Sequence, residues 1–379
     1  MTTADLSPPR AVAWWLFACC AMVFATLLVG GVTRLTHSGL SIVEWQPLLG
    51  ALPPLTDAHW RELFAKYQQT PEFMLRNHDM TLEGFRYIFW WEWTHRLLGR
   101  LIGVVFFLPY LWFLVRGRLR GKLAWRVLGF FLLGGLQGAM GWYMVKSGLV
   151  DDPRVSQYRL AAHLGLAFLI FGLMLWTALG ILQPRRAANT MNLAHTAVPP
   201  SATARRASFA RPPCSAVGSS APTFSATRRL GAALIVLVFV MVLSGALVAG
   251  IHAGLAYNTF PLMQGHFAPP EIFLLEPLWL NFFSNMATVQ FDHRLIAWLL
   301  LALVPWFAWR AARDFPLARL PAGLLLLWIF VQVSLGIATL LHRVPVPLAA
   351  THQAGAMILF ALALWTNHAI RRVANGRHS

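Results

Sequence analysis

The chain has 379 residues, of which 57% are hydrophobic and only 12% are charged, and its formal net charge is +17. A soluble domain has about twice that charged fraction, so the composition excludes an ordinary soluble protein. The basic residues are concentrated in a few short connections between apolar runs. This distribution favours membrane topology over nucleic acid binding as the reason for the positive charge.

Eight apolar segments have about the 20 residues that a helix needs to cross the hydrocarbon. They cover approximately 12–31, 93–115, 124–145, 159–181, 230–250, 292–309, 320–341 and 350–370. No segment has the alternating pattern of a membrane β-barrel. The predicted fold class is therefore an all-α polytopic membrane protein with eight transmembrane helices.

The connections predict the orientation of these helices. Arginine and lysine are concentrated after the second, fourth, sixth and eighth spans, in segments 116–126, 182–229, 310–319 and 371–377. The positive-inside rule places these connections and both termini in the cytoplasm, and we expect a multi-pass protein of a bacterial cell inner membrane.

The first outer loop, residues 32–92, is long and mixes acids with bases. Its sequence predicts two short helices, one that begins with Asp57 as its N-cap and one over roughly 81–91. The aromatic residues that end the second of these helices are typical of a membrane interface.

Residues 184–229 are rich in Ala, Ser, Thr, Pro and Arg, which predicts a flexible, basic cytoplasmic linker. The linker divides the chain into an N-terminal four-helix half, 1–183, and a C-terminal four-helix half, 230–379. An internal repeat supports this division, because Ala161, Phe171 and Trp176 recur 189 residues later as Ala350, Phe360 and Trp365. We therefore expect two tandem four-helix bundles related by a parallel repeat.

Four histidines lie near the start of the four spans that run inward. They form two matching pairs, His95 with His163 and His293 with His352. Two imidazoles on facing helices of a four-helix bundle can hold a haem between them. The alternative is that the histidines are interfacial residues bonded to water or carbonyls, but ionisable groups in spans are costly and usually functional. The paired pattern favours haem ligation.

Three further residues accompany the histidines. Arg96 and Arg294 directly follow the first histidine of each half, where they either clamp haem propionates or reach lipid headgroups. Glu92 lies one helical turn before His95, and its position in the second half is Val289 or Gln290. A carboxylate in one half alone suggests that one haem is acted upon and the other is a permanent cofactor. An exposed interfacial glutamate is the alternative.

The matched outer residues His37 and His252 stand beyond the span ends next to glycine. They are typical of outer turns, and a direct role is the less favoured interpretation.

With these motifs, the chain resembles the haem A synthase family, Cox15/CtaA, over all eight spans. The most specific features are the string from Glu92 to Arg96, the pair His293–Arg294, and the two histidines His163 and His352. Other branches of the family carry a cysteine pair in an outer loop, which this chain lacks.

The resemblance implies an oxidoreductase that converts the C8 methyl group of haem O to a formyl group, giving haem A for cytochrome oxidase. It further implies that His293 and His352 ligate a haem b cofactor. His95 and His163 become ligands of the substrate haem, with Glu92 as the catalytic residue beside the reacting edge. A bis-histidine iron has no open position for O₂, which favours electron transfer at haem b.

Two other function classes remain open from the residues. A dihaem b-type, quinol-linked electron carrier needs both histidine pairs but not Glu92, and a haem transporter needs no oxidation at all. The expected partners are haem O, a haem O synthase and membrane lipid, with no nucleic acid. The sequence leaves open the electron-transfer partner and the oligomeric state, a homo-oligomer included.

Overall fold

The structure is a computed structural model that describes residues 10–46, 49–148, 155–182 and 221–375. Within these residues eight helices are long and apolar enough to cross a membrane, as predicted. They are α1 (Arg10–Leu35), α4 (Leu82–Val115), α5 (Gly121–Gly148), α6 (Gln157–Leu182), α7 (Ala221–Gly250), α9 (Met286–Asp314), α10 (Arg319–Leu341) and α11 (Val346–Asn375). Three short helices lie outside them, namely α2 (Asp57–Tyr67), α3 (Pro71–Arg76) and α8 (Asn281–Ser284).

The long helices pack as two groups of four. In the first group α1 contacts α4 and α6, and α5 contacts α4 and α6. In the second, α9 contacts α7 and α10, and α11 contacts α7 and α10. The groups meet where α1 lies against α11, α6 against α7, and α6 against α11.

The boundary between the two groups is built from aromatic and small residues. Phe168 of α6 and Phe360 of α11 have ring centroids 5.6 Å apart. Gly172 of α6 leaves room for the same Phe360 ring, since a Cβ there would come within 3.0 Å of Phe360 Cε1. Because lipid tails are as apolar as these side chains, such close van der Waals packing is what holds membrane helices together.

Two helix starts differ from the sequence prediction. The N-cap of α2 is Thr56, whose hydroxyl accepts from the backbone N–H of His59 at 3.3 Å, and Asp57 is the first helical residue. The helix predicted over 81–91 is continuous with the second span, so α4 begins at Leu82 with Thr81 as its N-cap. No helix-breaking residue separates the two segments, and hydrophobicity alone had divided them.

The last residues of the predicted linker 184–229 are helical in the structure. Residues 221–229 are the first turns of α7, with Pro222 in the first turn, where its missing N–H removes no helical hydrogen bond. Residues 184–220 lie outside the described part of the chain.

The outer loop packs on the extension of α4 beyond the other spans. A cluster of buried side chains joins α2 to this extension, and its members are Trp60, Tyr67, Phe85, Ile88 and Phe89. Phe89 is thus buried in a small outer core, although the sequence suggested an interfacial belt. This core holds α2 and α3 against the end of the first bundle at which α4 begins.

Candidate functional site

Each of the four paired histidines lies against a glycine of a neighbouring helix in the same bundle. The pairs are His95 with Gly30, His163 with Gly141, His293 with Gly245, and His352 with Gly336. A Cβ atom added at the glycine of each pair would come within 2.5, 3.2, 3.2 and 2.8 Å, respectively, of the Cε1 atom of the histidine ring. The missing side chain at each position lets the ring lie directly on the helix backbone, which fixes the ring from one side.

Each bundle holds one predicted histidine pair, His95 and His163 on α4 and α6, and His293 and His352 on α9 and α11. All four residues are half-buried. The two pairs therefore occupy matching helices of the two bundles.

The Nδ1 atoms distinguish the two halves. In the second half, His293 Nδ1 lies 3.2 Å from the Ser244 hydroxyl and His352 Nδ1 lies 3.2 Å from Gln332 Nε2. In the first half, the Nδ1 atoms of His95 and His163 are buried and have no hydrogen-bond partner among the described residues. A second hydrogen bond on the ring orients a ligating histidine and fixes its tautomer. A neighbouring side chain therefore holds the Nδ1 atom of each histidine in the second pair.

Glutamine side chains on the glycine-bearing helices hold the histidine backbone in both halves. Gln137 Nε2 donates to the His163 carbonyl at 3.0 Å, and Gln332 Nε2 donates to the His352 carbonyl at 2.9 Å. These glutamines lie one turn before Gly141 and Gly336, so one face of each helix supplies both contacts.

Glu92 is buried, with 2% of its surface exposed, and both of its oxygens have partners. Arg96 Nη2 and Nε donate to Oε1 at 2.7 and 3.1 Å. The Ser41 hydroxyl and the Ile42 backbone N–H donate to Oε2 at 2.7 and 2.8 Å. The carboxylate therefore ties α4 to the start of the outer loop, and it is not the exposed interfacial glutamate that was the alternative.

The second half repeats this arrangement with a neutral side chain. Gln290 lies four residues before Arg294, accepts from Arg294 Nη2 at 2.9 Å, and donates to the Ala253 carbonyl at 2.7 Å. These contacts identify Gln290, and not Val289, as the counterpart of Glu92. One half thus has a buried carboxylate where the other has an amide.

Arg96 and Arg294 both fasten an outer loop to a helix, a role that the sequence did not suggest. Arg96 donates to the Ile42 carbonyl at 2.9 Å and the Glu44 carbonyl at 3.3 Å, in addition to Glu92. Arg294 Nη2 donates to the Tyr257 carbonyl at 2.9 Å. Contact of these arginines with haem propionates stays a prediction.

The matched outer histidines lie at the boundary between the bundles. His37 and His252 stack with ring centroids 5.9 Å apart, and each has a left-handed backbone, with φ of 53° and 57°. Burial, together with the positive charges of Arg76 and Arg34, lowers the pKa of His37. Arg34 also donates to the Ala249 carbonyl across the same boundary.

The bundles differ in how closely their third helix packs. In the first half α5 packs loosely on α4, whereas α10 packs closely on α9. A Cβ at Gly134 or Gly138 of α5 would meet nothing within 4 Å. The residues at the matching positions of α10 are Ile329, which is fully buried, and Val333, which packs against the core. The seam between α4 and α5 is therefore the more open one.

The residues present fit a haem in each bundle. Each half offers two imidazoles on different helices, and a glycine of a neighbouring helix lies against each ring. Among the described residues no group of three or more His, Cys, Asp or Glu side chains surrounds a single point. The donor set is thus a pair of axial-type imidazoles, the kind that haem iron uses.

Comparison with known proteins identifies the family. The family model described as COX15-CtaA, cytochrome oxidase assembly protein, matches residues 13–364. The chain belongs to the COX15-CtaA family. The match includes all four paired histidines, Glu92 and both arginines.

Relatives are similar over nearly the full length. A protein of Nitrosospira multiformis named "Heme A synthase" is 55% identical over 375 residues, covering 98% of this chain and 96% of the relative. Proteins of the same name from Nitrosomonas eutropha and Parvibaculum lavamentivorans are 52% and 46% identical over 357 and 363 residues. They cover 93% and 96% of this chain and 92% and 95% of their own lengths.

Sequence reasoning missed several members of this COX15-CtaA site. Gln137 and Gly141 of α5 match Gln332 and Gly336 of α10 in the internal repeat, but no role could be assigned to them from the sequence. Gly30 and Gly245 carried no signal beyond lying near the outer ends of α1 and α7. Ser244 precedes one of these glycines and was invisible, because only the fold brings its hydroxyl to a histidine 49 residues away.

Proposed function

We propose that this COX15-CtaA chain is a haem A synthase, an oxidoreductase that converts the C8 methyl group of haem O to a formyl group. The observation that carries the proposal is the pair of matched histidine–glycine sites, of which only one is accompanied by a buried carboxylate. The name of its relatives supports the same reaction. The product, haem A, serves cytochrome oxidase, in line with the description of the family.

We assign the resident haem b to the second half, with His293 and His352 as its ligands. Their Nδ1 atoms have hydrogen-bond partners, which suits a cofactor that stays bound. The bound haem b would supply one-electron redox chemistry. Ser244 and Gln332 hold the ring orientation.

We assign haem O to the first half, with His95 and His163 as its ligands. The Nδ1 atoms there have no partner among the described residues, and the seam between α4 and α5 is open. The open seam suits a ligand that must enter and leave. In this half Glu92 holds a negative charge one turn from His95, fixed by Arg96 and the Ser41–Ile42 backbone.

The assignment of one haem to each half treats the two halves as copies of one four-helix unit. Matched contacts of His95 and His293, His163 and His352, and Arg96 and Arg294 support a parallel repeat of two four-helix bundles. We place both termini in the cytoplasm and the histidine sites towards the outer face of the inner membrane.

A second candidate is the dihaem b-type electron carrier. It is favoured by one observation, that both oxygens of Glu92 are already engaged in holding the outer loop. In that case the carboxylate would be structural, and both halves would retain haem b.

One experiment separates the two candidates. The chain is expressed with a haem O synthase in a host that makes no haem A, and haems extracted from the membranes are identified by mass. The haem A synthase predicts a haem A peak that is absent without the chain. Haem b in both halves with unchanged haem O would refute it and support the carrier.

A further inference from the structure

Two cations lie close to the histidine site of the first bundle, at the end where α5 ends and α6 begins. Arg159 lies four residues before His163 on α6, so the two side chains share a face of the helix, about 6 Å apart along its axis. Lys146 lies on α5, five residues after Gly141, the glycine that contacts the His163 ring. The helices that hold the histidine ring therefore also carry the two cations.

Aromatic side chains of α5 hold both cations in place. Arg159 Nη2 donates to the Tyr143 hydroxyl at 3.2 Å, and Arg159 Cζ lies 4.4 Å from the centre of the Tyr143 ring. Lys146 Nζ lies 5.1 Å from the centre of the Trp142 ring, and Trp45 of the outer loop packs against the same ring, with centroids 6.4 Å apart. A cation over an aromatic ring is attracted to the face of that ring, so these contacts restrain both side chains.

The two cations have N–H groups available for an anion. Arg159 is half-buried and makes one hydrogen bond among the described residues, and neither Arg159 nor Lys146 pairs with an acidic side chain there. Arg96, in contrast, already donates to Glu92 and to two carbonyls of the outer loop. Neighbouring positive charges without a counter-charge attract an anionic ligand.

The second bundle has no such cations at the matching positions. The residues that the internal repeat matches to Arg159, Lys146 and Tyr143 are all apolar, and they are Leu348, Leu341 and Ala338. The positive-inside rule does not account for the cations of the first bundle, because the end at which they lie is predicted to face outward. The cations therefore distinguish the half that we assign to haem O from the half that we assign to haem b.

We propose that Arg159, with Lys146 beside it, binds a propionate carboxylate of haem O in the first bundle. The planar guanidinium group of arginine matches the geometry of a carboxylate, and a hydrogen bond between the two is charge-assisted. The C8 methyl group of haem O shares a pyrrole ring with one propionate, so a cation that holds this propionate also fixes the position of the reacting carbon. The inference rests on the proposed function and adds a substrate-binding residue to it.

The test compares the binding of haem O with that of its dimethyl ester, in which both propionates are neutral. Each compound is titrated into the full-length purified protein that holds haem b, and the dissociation constant is measured from the change in absorption. The variants are Arg159→Gln, which removes the charge, and Arg159→Lys, which keeps the charge without the planar fork. The matched control is Arg118→Gln, an exposed arginine between α4 and α5 whose Cζ lies 5.0 Å from the centre of the Trp112 ring.

We expect the wild type to bind the ester about tenfold more weakly than haem O, the loss of a hydrogen bond to a charged group. Arg159→Gln should bind haem O about as weakly as the wild type binds the ester, and it should discriminate little between the two compounds. Arg159→Lys should keep part of the preference for haem O, and Arg118→Gln should match the wild type. Haem b content should be unchanged in every variant, which shows that the fold is intact.

Three results would overturn the inference. Equal affinity of the wild type for haem O and its ester would leave a lipid phosphate as the anion at these cations. An Arg159→Gln variant with wild-type affinity would show that Arg159 does not contact haem O. An Arg159→Gln variant that loses the same affinity for both compounds would assign Arg159 a structural role.

Two further measurements keep the outcome decisive. If Arg159→Gln does not accumulate, Arg159→Lys decides alone: a reduced preference for haem O over the ester supports the inference, and an unchanged preference overturns it. Haem A formation is measured separately in membranes that contain the wild type. Preference for haem O without haem A formation would contradict the proposed function and support the binding residue, whereas a wild type that binds no haem O would contradict both.

Discussion

Glu92 and Arg96 form a buried ion pair, with Nη2 and Oε1 2.7 Å apart, where the second bundle has a hydrogen bond between Gln290 and Arg294 of 2.9 Å. The two arrangements have the same spacing along the helix and hold the same kind of outer loop. A buried ion pair adds little stability over a neutral substitute, because two charges must be desolvated. The charge of Glu92 is therefore not needed to hold the loop, since an amide does so in the second half.

The glycine contact gives a prediction for the first histidine pair. Gly30→Ala places a methyl group 2.5 Å from His95 Cε1, so the ring must shift. Alanine favours a helix over glycine by about 1 kcal/mol, so any loss will come from the ring and not from α1. We expect haem O retention in purified protein to fall several-fold, with haem b unchanged. The control is Gly103→Ala in α4, where the added Cβ meets nothing within 4 Å; equal retention in both variants would refute the contact's role.

The assignment of the halves predicts which variants lose haem b. His293→Ala and His352→Ala should each remove the low-spin b-type absorption of the purified protein, because each removes one of two iron ligands. His95→Ala and His163→Ala should retain that absorption and lose bound haem O. The opposite pattern would mean that the halves have been assigned the wrong way round.

The buried Glu72 predicts a pH dependence for the outer segment. Burial, and after it the negative charge of Glu92, raises its pKa from 4.5 to about 8 in the folded protein, so the folded state holds a proton that the unfolded segment releases. The stabilising effect of that proton is complete below pH 4.5 and is lost as the pH rises towards about 8. Limited proteolysis of α2 and α3 should therefore accelerate over this range. Glu72→Gln should make the rate much less dependent on pH; an equally steep dependence in the variant would assign it to another group.

The topology can be tested with reporter fusions. Fusions after residues 120, 200 and 315 should report the cytoplasm, because the basic connections lie there. Fusions near residues 65 and 265 should report the outer side. A cytoplasmic signal at residue 65 would contradict the predicted orientation.

The sequence was sufficient for features that depend on local pattern. Span length and hydrophobicity predicted eight membrane helices, and the repeat matched His95 with His293 and His163 with His352. It did not predict contacts between distant segments. The bonds of Glu92 to Ser41 and Ile42 cross 51 and 50 residues of chain, and no periodicity encodes them.

The same limit explains the errors in the outer loop. The start of α4 at Leu82 was hidden because hydropathy reports where a helix enters lipid and not where it begins. The burial of Glu72 depends on α3 docking beside the small aromatic core, which no local sequence pattern encodes. Glycine–histidine contacts likewise required the helices to be assembled.

The most direct test of the account is the haem content of membranes that contain the Glu92→Gln variant and a haem O synthase, identified by mass beside the wild type. Gln290→Glu serves as the matched control, since it adds a charge in the half that is proposed to hold haem b. The account predicts haem A from the wild type and retained haem b in the variant. It also predicts that the variant accumulates haem O or its partly oxidised alcohol form, because the fold survives while the carboxylate is lost. A wild-type yield of haem A from Glu92→Gln, at equal protein level, would contradict it.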